Sequence, residues 1–336
     1  VEKALADVNV VLNASSADLQ RFSKGLFDAA RNTGQSFNVV TEAATEFARQ
    51  GLSIEETLRR TNDALILTRL TGMDAAESVK SLTAAMNTFQ KAGLTSTQVI
   101  SKMAAVDVEF AVSADDLAAA ISRTGQSAVE AGVSIDQLIG LVTAAQQRTA
   151  RGGAVIGNAF KTILTRIRRP ETLKQLEQLG IAVRDVEYNT LPAVQILNNL
   201  AATYDRLSDA QKSQLGQTVA GVFQINILKA ALADASSQNS ILARATQIAA
   251  GASDEAVTKN EKLNQTLDAL GKQTVATFTE VAKSIGDMAI GPGLKNILQV
   301  INSFGQSITD GIDGEGAGAQ FFQGFLRGIG NIVTGP

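Results

Sequence analysis

The chain has 336 residues, of which 45% are hydrophobic, 4% aromatic and 19% charged, and its formal net charge is −3. It contains no cysteine and no histidine, which excludes disulfides, thiolate nucleophiles and zinc–sulfur sites and removes the side chain best suited to acid–base catalysis near neutral pH. The small net charge gives no general attraction to nucleic acid or anionic membranes, and the aliphatic composition favours an all-α fold.

Three similar motifs divide the first part of the chain. They are QGLSIEE at 50–56, AGLTSTQ at 92–98 and AGVSIDQ at 131–137. In each, a glycine suits the end of one helix and a hydroxyl residue suits the cap of the next. Ser53–Glu56 and Ser134–Gln137 also have capping-box spacing. A period of about forty residues is typical of stacked helical hairpins, which we predict for residues 1–130, although an ordinary helical bundle has similar turns.

The stretch RGGAVIGNAFKTILTRIRRP at 151–170 is the most distinctive of the chain. Its glycines have the spacing of a phosphate-binding loop, but Asn158 and Ala159 stand where lysine and serine or threonine are required. The alternative is structural, because small residues allow a helix to approach its neighbour closely. The small residues are Gly153, Ala154, Gly157 and Ala159. An apolar stripe follows, formed by Phe160, Ile163, Leu164 and Ile167.

Six cations occur between residues 148 and 169 with no acidic residue among them. They are Arg148, Arg151, Lys161, Arg166, Arg168 and Arg169. They form either a solvated face or a surface for an acidic partner or for DNA passing nearby. No aromatic residues interleave with them to stack on bases, so sequence-specific nucleic-acid binding is not expected.

The sequence contains one candidate cluster of carboxylates, but no motif around it indicates a catalytic or binding role. It comprises Asp107, Glu109, Asp115 and Asp116. We therefore predict no catalytic, cofactor-binding or metal-binding residues and no cofactor.

Residues 131–250 are predicted to form a second helical region. One helix ends at Gly180, at most a short β-hairpin occupies 181–190, and helix then resumes with Pro192 in its first turn. A long helical stretch is expected from about 209 to 247.

Residues 251–292 are predicted to contain one long amphipathic helix at 254–290, capped by Ser253. Its apolar seam follows coiled-coil spacing with one four-residue insertion, and Asn260 precedes it at a position that can fix register. The seam comprises Leu263, Leu267, Leu270, Phe278, Val281, Ile285 and Met288. The helix either self-associates through this seam or packs within the domain.

Residues 293–336 form a Gly-rich, apolar C-terminal segment. SITDGIDGEGAGAQ at 307–320 is a predicted linker, and FFQGFLRGIGNIV at 321–333 has a GxxxG spacing that allows close helix contact. It is too short to cross a bilayer alone. Since the chain begins with Val1, we expect it to be cut from a longer protein or processed.

The segments described above, read together, resemble the core region of phage tail tape measure proteins. The resemblance is carried by AGVSIDQLIGLVTAAQQRTARGGAVIGNAFKTILTRIRRPETLKQLEQLGIAV at 131–183, and by LGQTVAGVFQINILKAAL at 215–232. A less specific similarity extends over roughly residues 30–290.

The resemblance implies a structural, non-enzymatic protein of the virion tail interior, present in the host cytoplasm during assembly. Such a protein governs tail length and leaves the tube ahead of the DNA. Tail tube and tail-tip or baseplate proteins are the implied partners, together with a homo-oligomer, a trimer by resemblance, and contact with the host membrane during ejection. A membrane-active delivery protein, suggested by the C-terminal segment, is the second hypothesis, and an enzyme or nucleotide-binding protein the third.

Overall fold

The structure is a computed structural model that describes residues 1–266, 277 and 280. Within residues 1–266 it contains fourteen α-helices, a 3₁₀ turn at Gln90–Ala92 and no strand, which confirms the all-α prediction. The helices are α1 (Glu2–Leu12), α2 (Ser16–Thr33), α3 (Phe37–Ala48), α4 (Ile54–Thr71), α5 (Ala75–Thr88), α6 (Ser96–Glu109), α7 (Ala114–Glu130), α8 (Ile135–Thr149), α9 (Gly153–Ile167), α10 (Pro170–Gln178), α11 (Ala193–Tyr204), α12 (Asp209–Ala235), α13 (Ile241–Gly251) and α14 (Glu255–Asn264).

The predicted starts of α4 and α8 are confirmed. Ser53 accepts a hydrogen bond from the amide of Glu56, and Ser134 and Gln137 form a complete capping box. Glu56 does not complete its box, because its carboxylate pairs with Arg60 at 2.6 Å and also with Arg59. Thr95 caps α6 with a further complete box. All three motifs of the first part of the chain therefore start a helix.

One hydrophobic core runs through helices from both halves of the described chain. Its largest fully buried side chains include Phe22, Phe47, Leu117 and Phe160. The stripe predicted on α9 is buried throughout. Since aromatics are few, the close packing rests on alanine and branched aliphatic residues from helices that approach one another closely.

The segment 181–190 is a turn closed by an isolated antiparallel bridge between Arg184 and Thr190. Its backbone is held by the carboxylate of Asp185, which accepts hydrogen bonds from the amides of Glu187 and Asn189 at 2.9 and 2.8 Å. This agrees with the prediction of at most a short hairpin there.

Three helix boundaries differ from the sequence-based expectations. The stretch 209–247 is broken after Ala235, because the buried Asp234 accepts the amides of Ile241 and Leu242 and starts α13. Pro192 is the residue before α11, outside its first turn. Asp254 occupies the cap position expected for Ser253.

The long helix predicted at 254–290 is described only in part. It begins as α14 and gives way to a turn at Gln265 and Thr266, where the amides of both residues bond three residues back. Thr277 and Glu280 are helical, and the remainder of the predicted helix lies outside the described residues.

The chain divides into two compact units, Val1–Ala276 and Thr277–Pro336. No helix among the described residues is both long and apolar enough to cross a membrane. The apolar segment at 321–333 lies outside those residues.

Candidate partner surface around the basic helix

Helix α9 begins at a glycine turn that is anchored by a carboxylate of α7. Gly152 has a φ of +77° and its amide donates to Gln146 Oε1 at 2.9 Å. The amide of Gly153 donates to Asp116 Oδ1 at 2.6 Å. A negative charge is favourable at the N-terminus of a helix, which is also where a phosphate would bind. The chain therefore supplies the anion for this site itself.

The glycines of α9 allow its backbone to lie directly on α7, as predicted. A Cβ atom on Gly153 would lie 1.9 Å from the backbone oxygen of Asp116, and one on Gly157 would lie 2.8 Å from Ala120 Cα. Thr124 Oγ1 donates to the carbonyl of Gly157 at 2.6 Å. Nothing larger than hydrogen fits at either glycine unless the helices separate.

Arg148, the first of the six cations, forms an internal contact. Its guanidinium lies 3.6 Å from the carboxylate of Asp234, which is completely buried. Asp234 also accepts from Ser240 Oγ at 3.0 Å. Because Arg148 is the cation beside a buried carboxylate that caps another helix, its contribution is mainly to the fold.

Arg166 also contacts the chain itself. It is half-buried, its Nη1 donates to the carbonyl of Gln217 at 3.3 Å, and it packs against Gly221. Both contacts are on α12, so this side chain joins α9 to α12.

The remaining cations are more open. Arg151, Lys161 and Arg169 are exposed, and Arg168 is half-buried. Among the described residues none of these four forms an ion pair. We define the outward cations as the three exposed ones, Arg151, Lys161 and Arg169, and leave Arg168 out because it is half-buried and lies near Gly132. Whether a partner covers them stays a prediction.

The four acidic residues of the candidate cluster do not converge on one site. Asp107 pairs with Lys259 of α14 at 2.5 Å, and Asp116 is committed to the start of α9. Burial raises the pKa of Asp115, and the neighbouring charge of Asp116 adds to the shift. Within residues 1–266, 277 and 280, no group of three or more acidic residues is placed to hold a metal ion.

The beginning of the predicted seam is occupied by contacts within the domain. Asn260 is buried, donates to the carbonyl of Asn32 at 2.9 Å and accepts from Arg69 Nη1 at 3.0 Å. Its polar groups are therefore used within the chain, which corrects the idea that it fixes the register of an oligomer. Leu263 is half-buried, and the other six seam residues lie outside the described part of the chain.

Sequence reasoning missed a buried lysine that joins three helices. Lys102 Nζ lies 2.8 Å from Asp136 Oδ1 in the first turn of α8, and it donates to the carbonyl of Ala249 near the end of α13 at 2.8 Å. A cation suits the C-terminus of α13 and an anion suits the N-terminus of α8. The only sequence signal was the position of Lys102 between apolar residues of α6.

These contacts define an all-α domain in which Lys161 of α9 is exposed, as are Arg151 before that helix and Arg169 after it. The family model for phage-related minor tail proteins matches residues 23–221, more than half of the chain. The chain therefore belongs to the phage-related minor tail protein family, which implies a structural role in the tail of the virion. No solved structure matches it.

Proposed function

We propose that the chain is part of a tail tape measure protein, which occupies the tail lumen, governs tail length and assembly, and is released ahead of the DNA. The observation that carries the proposal is the family match over 23–221. Of the two segments that resemble tape measure proteins, it contains all of 131–183 and the first part of 215–232, up to residue 221. A helical chain is also suited to measuring, since each residue adds a fixed rise of about 1.5 Å.

The role of the described region within such a protein is anchoring, assembly or delivery. Its helices are folded back on one another around a shared core, from Leu5 to Ala256. A compact module spans far less length than the same residues in one extended helix. We therefore assign the ruler to extended parts of the protein and the contacts with tail tube and tail-tip proteins to this module.

Tail length tests the proposal directly. An in-frame helical insertion of about 50 residues in the Gly-rich stretch 307–320 should lengthen the tail by about 75 Å, measured by electron microscopy. An insertion of about 100 residues should lengthen it by about 150 Å, which serves as the internal control. Infectious particles with tails of unchanged length would contradict the tape measure proposal.

Self-association along the tail axis is a second part of the proposal. An apolar seam on a long helix must be covered, either within the domain or by further copies of the chain. We favour a parallel homo-oligomer, with a trimer suggested by the resemblance. Replacing Leu267 and Phe278 with aspartate should dissociate it. Sedimentation of the wild-type chain as a monomer at tens of micromolar would oppose this arrangement.

A membrane-active delivery protein is the second candidate, because residues 321–333 are apolar and carry a GxxxG spacing. A peptide of residues 290–336 should then release dye from liposomes. A peptide that leaves the liposomes intact would remove this candidate without affecting the tape measure proposal.

A further inference from the structure

Helix α12 is broken at a single residue. Over Asp209–Ala235 only Gly221 departs from helical geometry, with φ 70° and ψ 172°. This conformation is essentially restricted to glycine. The two halves, 209–220 and 222–235, fold toward each other, because Ile225 of the second half lies in van der Waals range of a Cβ placed on Gly216 of the first.

Two large apolar residues at the bend are exposed, and one of them, Phe223, belongs to an apolar stripe. Val222 is 72% exposed and Phe223 is 89% exposed. Leu215, Val219 and Ile227, which are buried, lie at four-residue steps before and after Phe223. In a continuous α-helix, residues four apart lie on the same face. The sequence therefore places Phe223 in one stripe with these three residues, and the break at Gly221 turns it away from them.

The bend is also stabilised from outside. Gln217 is one of the last four residues of the first half, whose carbonyls lose their helical partners when the helix ends. Arg166 donates to this carbonyl at 3.3 Å, and its guanidinium packs on Gly221. A cation at this end is favourable for the helix dipole as well. Arg166 thus compensates for hydrogen bonding that a continuous helix would provide itself.

An open cleft of about 640 Å³ is lined by both halves of α12 and by the end of α11, from Ala201 to Asp205. Ser213 of the first half and Lys229 of the second both line it. The second half is nevertheless well attached to the core, since Ile227, Leu228 and Leu232 are buried. The bent form is therefore the stable one in the compact domain, and the continuous form needs an added driving force.

We propose that α12 is a hinged helix with two conformations, the bent form and a continuous helix over 209–235 in which Phe223 joins Leu215, Val219 and Ile227 on one face. Gly221 is the hinge and Arg166 is the latch of the bent form. The continuous helix is about 40 Å long. This inference goes beyond the proposed function and does not depend on it.

Spin labels on the two halves distinguish the two conformations. Because the chain has no cysteine, S213C and K229C can be labelled uniquely in the 336-residue chain, and their separation measured by double electron–electron resonance. In a continuous helix the two Cα atoms are about 24 Å apart. Since both residues line one cleft, the otherwise wild-type chain should give a single shorter distance.

Gly221→Ala removes the conformation that the bend requires. We expect the distance to lengthen toward the value of the continuous helix, with helicity by circular dichroism retained or raised. The matched control is Gly216→Ala, because Gly216 is helical and its Cβ would make only ordinary contacts at 3.5 Å and beyond. This control should keep the short distance. A short distance in Gly221→Ala would overturn the proposal.

Arg166→Gln provides a second test that leaves the backbone of α12 unchanged. We expect a population with the long distance at retained helicity. If Gly221→Ala loses helicity, the result for Arg166→Gln tests the proposal. A population with the long distance supports the hinge, and a single short distance overturns it.

Discussion

Two interior regions of the domain are held together in different ways. At the contact of α7 with α9, backbone lies on backbone, because Gly153 and Gly157 leave no space for a side chain. At the contacts of α4 with α6, and of α6 with α8 and α13, buried polar groups meet, with Asp63 and Lys102 at their centres. The first region depends mainly on close fit, supported by the hydrogen bonds of Gly153 with Asp116 and of Thr124 with Gly157. The second depends on charge and therefore on pH and on complete pairing.

Gly153→Ala should break the close contact and have a large effect on stability. The added Cβ would lie 1.9 Å from a backbone oxygen of α7, so α9 must move. We expect the free energy of unfolding to fall by about 2–3 kcal/mol, measured by urea denaturation. The control is Gly251→Ala at the end of α13, where a Cβ meets nothing within 4 Å. Equal stability of the two variants would show that the contact is not tight.

Lys102→Met should break the charged region with a comparable or slightly smaller effect. It leaves Asp136 and the carbonyl of Ala249 without their cation. We expect a loss of about 2–3 kcal/mol, at or below the lower limit for broken buried pairs, because Asp136 retains some contact with water. Lys174→Met on the exposed face of α10 is the control. A Lys102→Met chain as stable as this control would show that packing alone holds the three helices.

The pH dependence of stability should test the charged region further. Burial raises the pKa of Asp63, although hydrogen bonds from Ser96 and Thr97 oppose the shift. A carboxyl group with a raised pKa in the folded state binds its proton more tightly when folded. The contribution of Asp63 to the free energy of unfolding therefore decreases as the pH rises from the ordinary pKa of an aspartate through the raised pKa. Asp63→Asn cannot ionise and should lose this part of the pH dependence.

Urea midpoints of wild type and Asp63→Asn between about pH 4 and 7 provide the measurement. The variant should gain stability relative to wild type as the pH rises. Parallel pH profiles would mean that Asp63 does not titrate within this window. The control variant Gly251→Ala should follow the wild-type profile, because its added Cβ meets nothing within 4 Å.

The close contact was predictable from the sequence, and the charged one was not. A run of small residues ahead of the stripe Phe160, Ile163, Leu164 and Ile167 indicates a helix that packs closely. The helix caps Ser53 and Ser134 were predictable for the same reason, because each accepts a hydrogen bond from an amide only three residues later in the chain. Lys102 and Asp136 lie far apart in the sequence, and only the tertiary fold brings them together. The same holds for Arg148 and Arg166. Both contact α12, and only the tertiary fold distinguishes them from the other four cations between residues 148 and 169.

The smallest effect on stability is expected outside both regions, at the outward cations Arg151, Lys161 and Arg169. All three are exposed, and within the described residues they form no ion pair. Changing all three to glutamate should alter the free energy of unfolding by less than about 0.5 kcal/mol. If they face an acidic tail protein, each lost exposed pair contributes up to about 1 kcal/mol. Affinity should then fall by about tenfold to a hundredfold.

The measurement is the yield of assembled tails and infectious particles from phage carrying the triple variant. A matched control changes Lys3, Lys24 and Lys91 to glutamate, since these lysines are also exposed and the change in net charge is the same. A defect in the first variant and not in the control would identify the outward cations as a partner surface. Arg148 and Arg166 are excluded from the test because their substitution disturbs α12. Normal assembly by both variants would leave the outward cations as a solvated face.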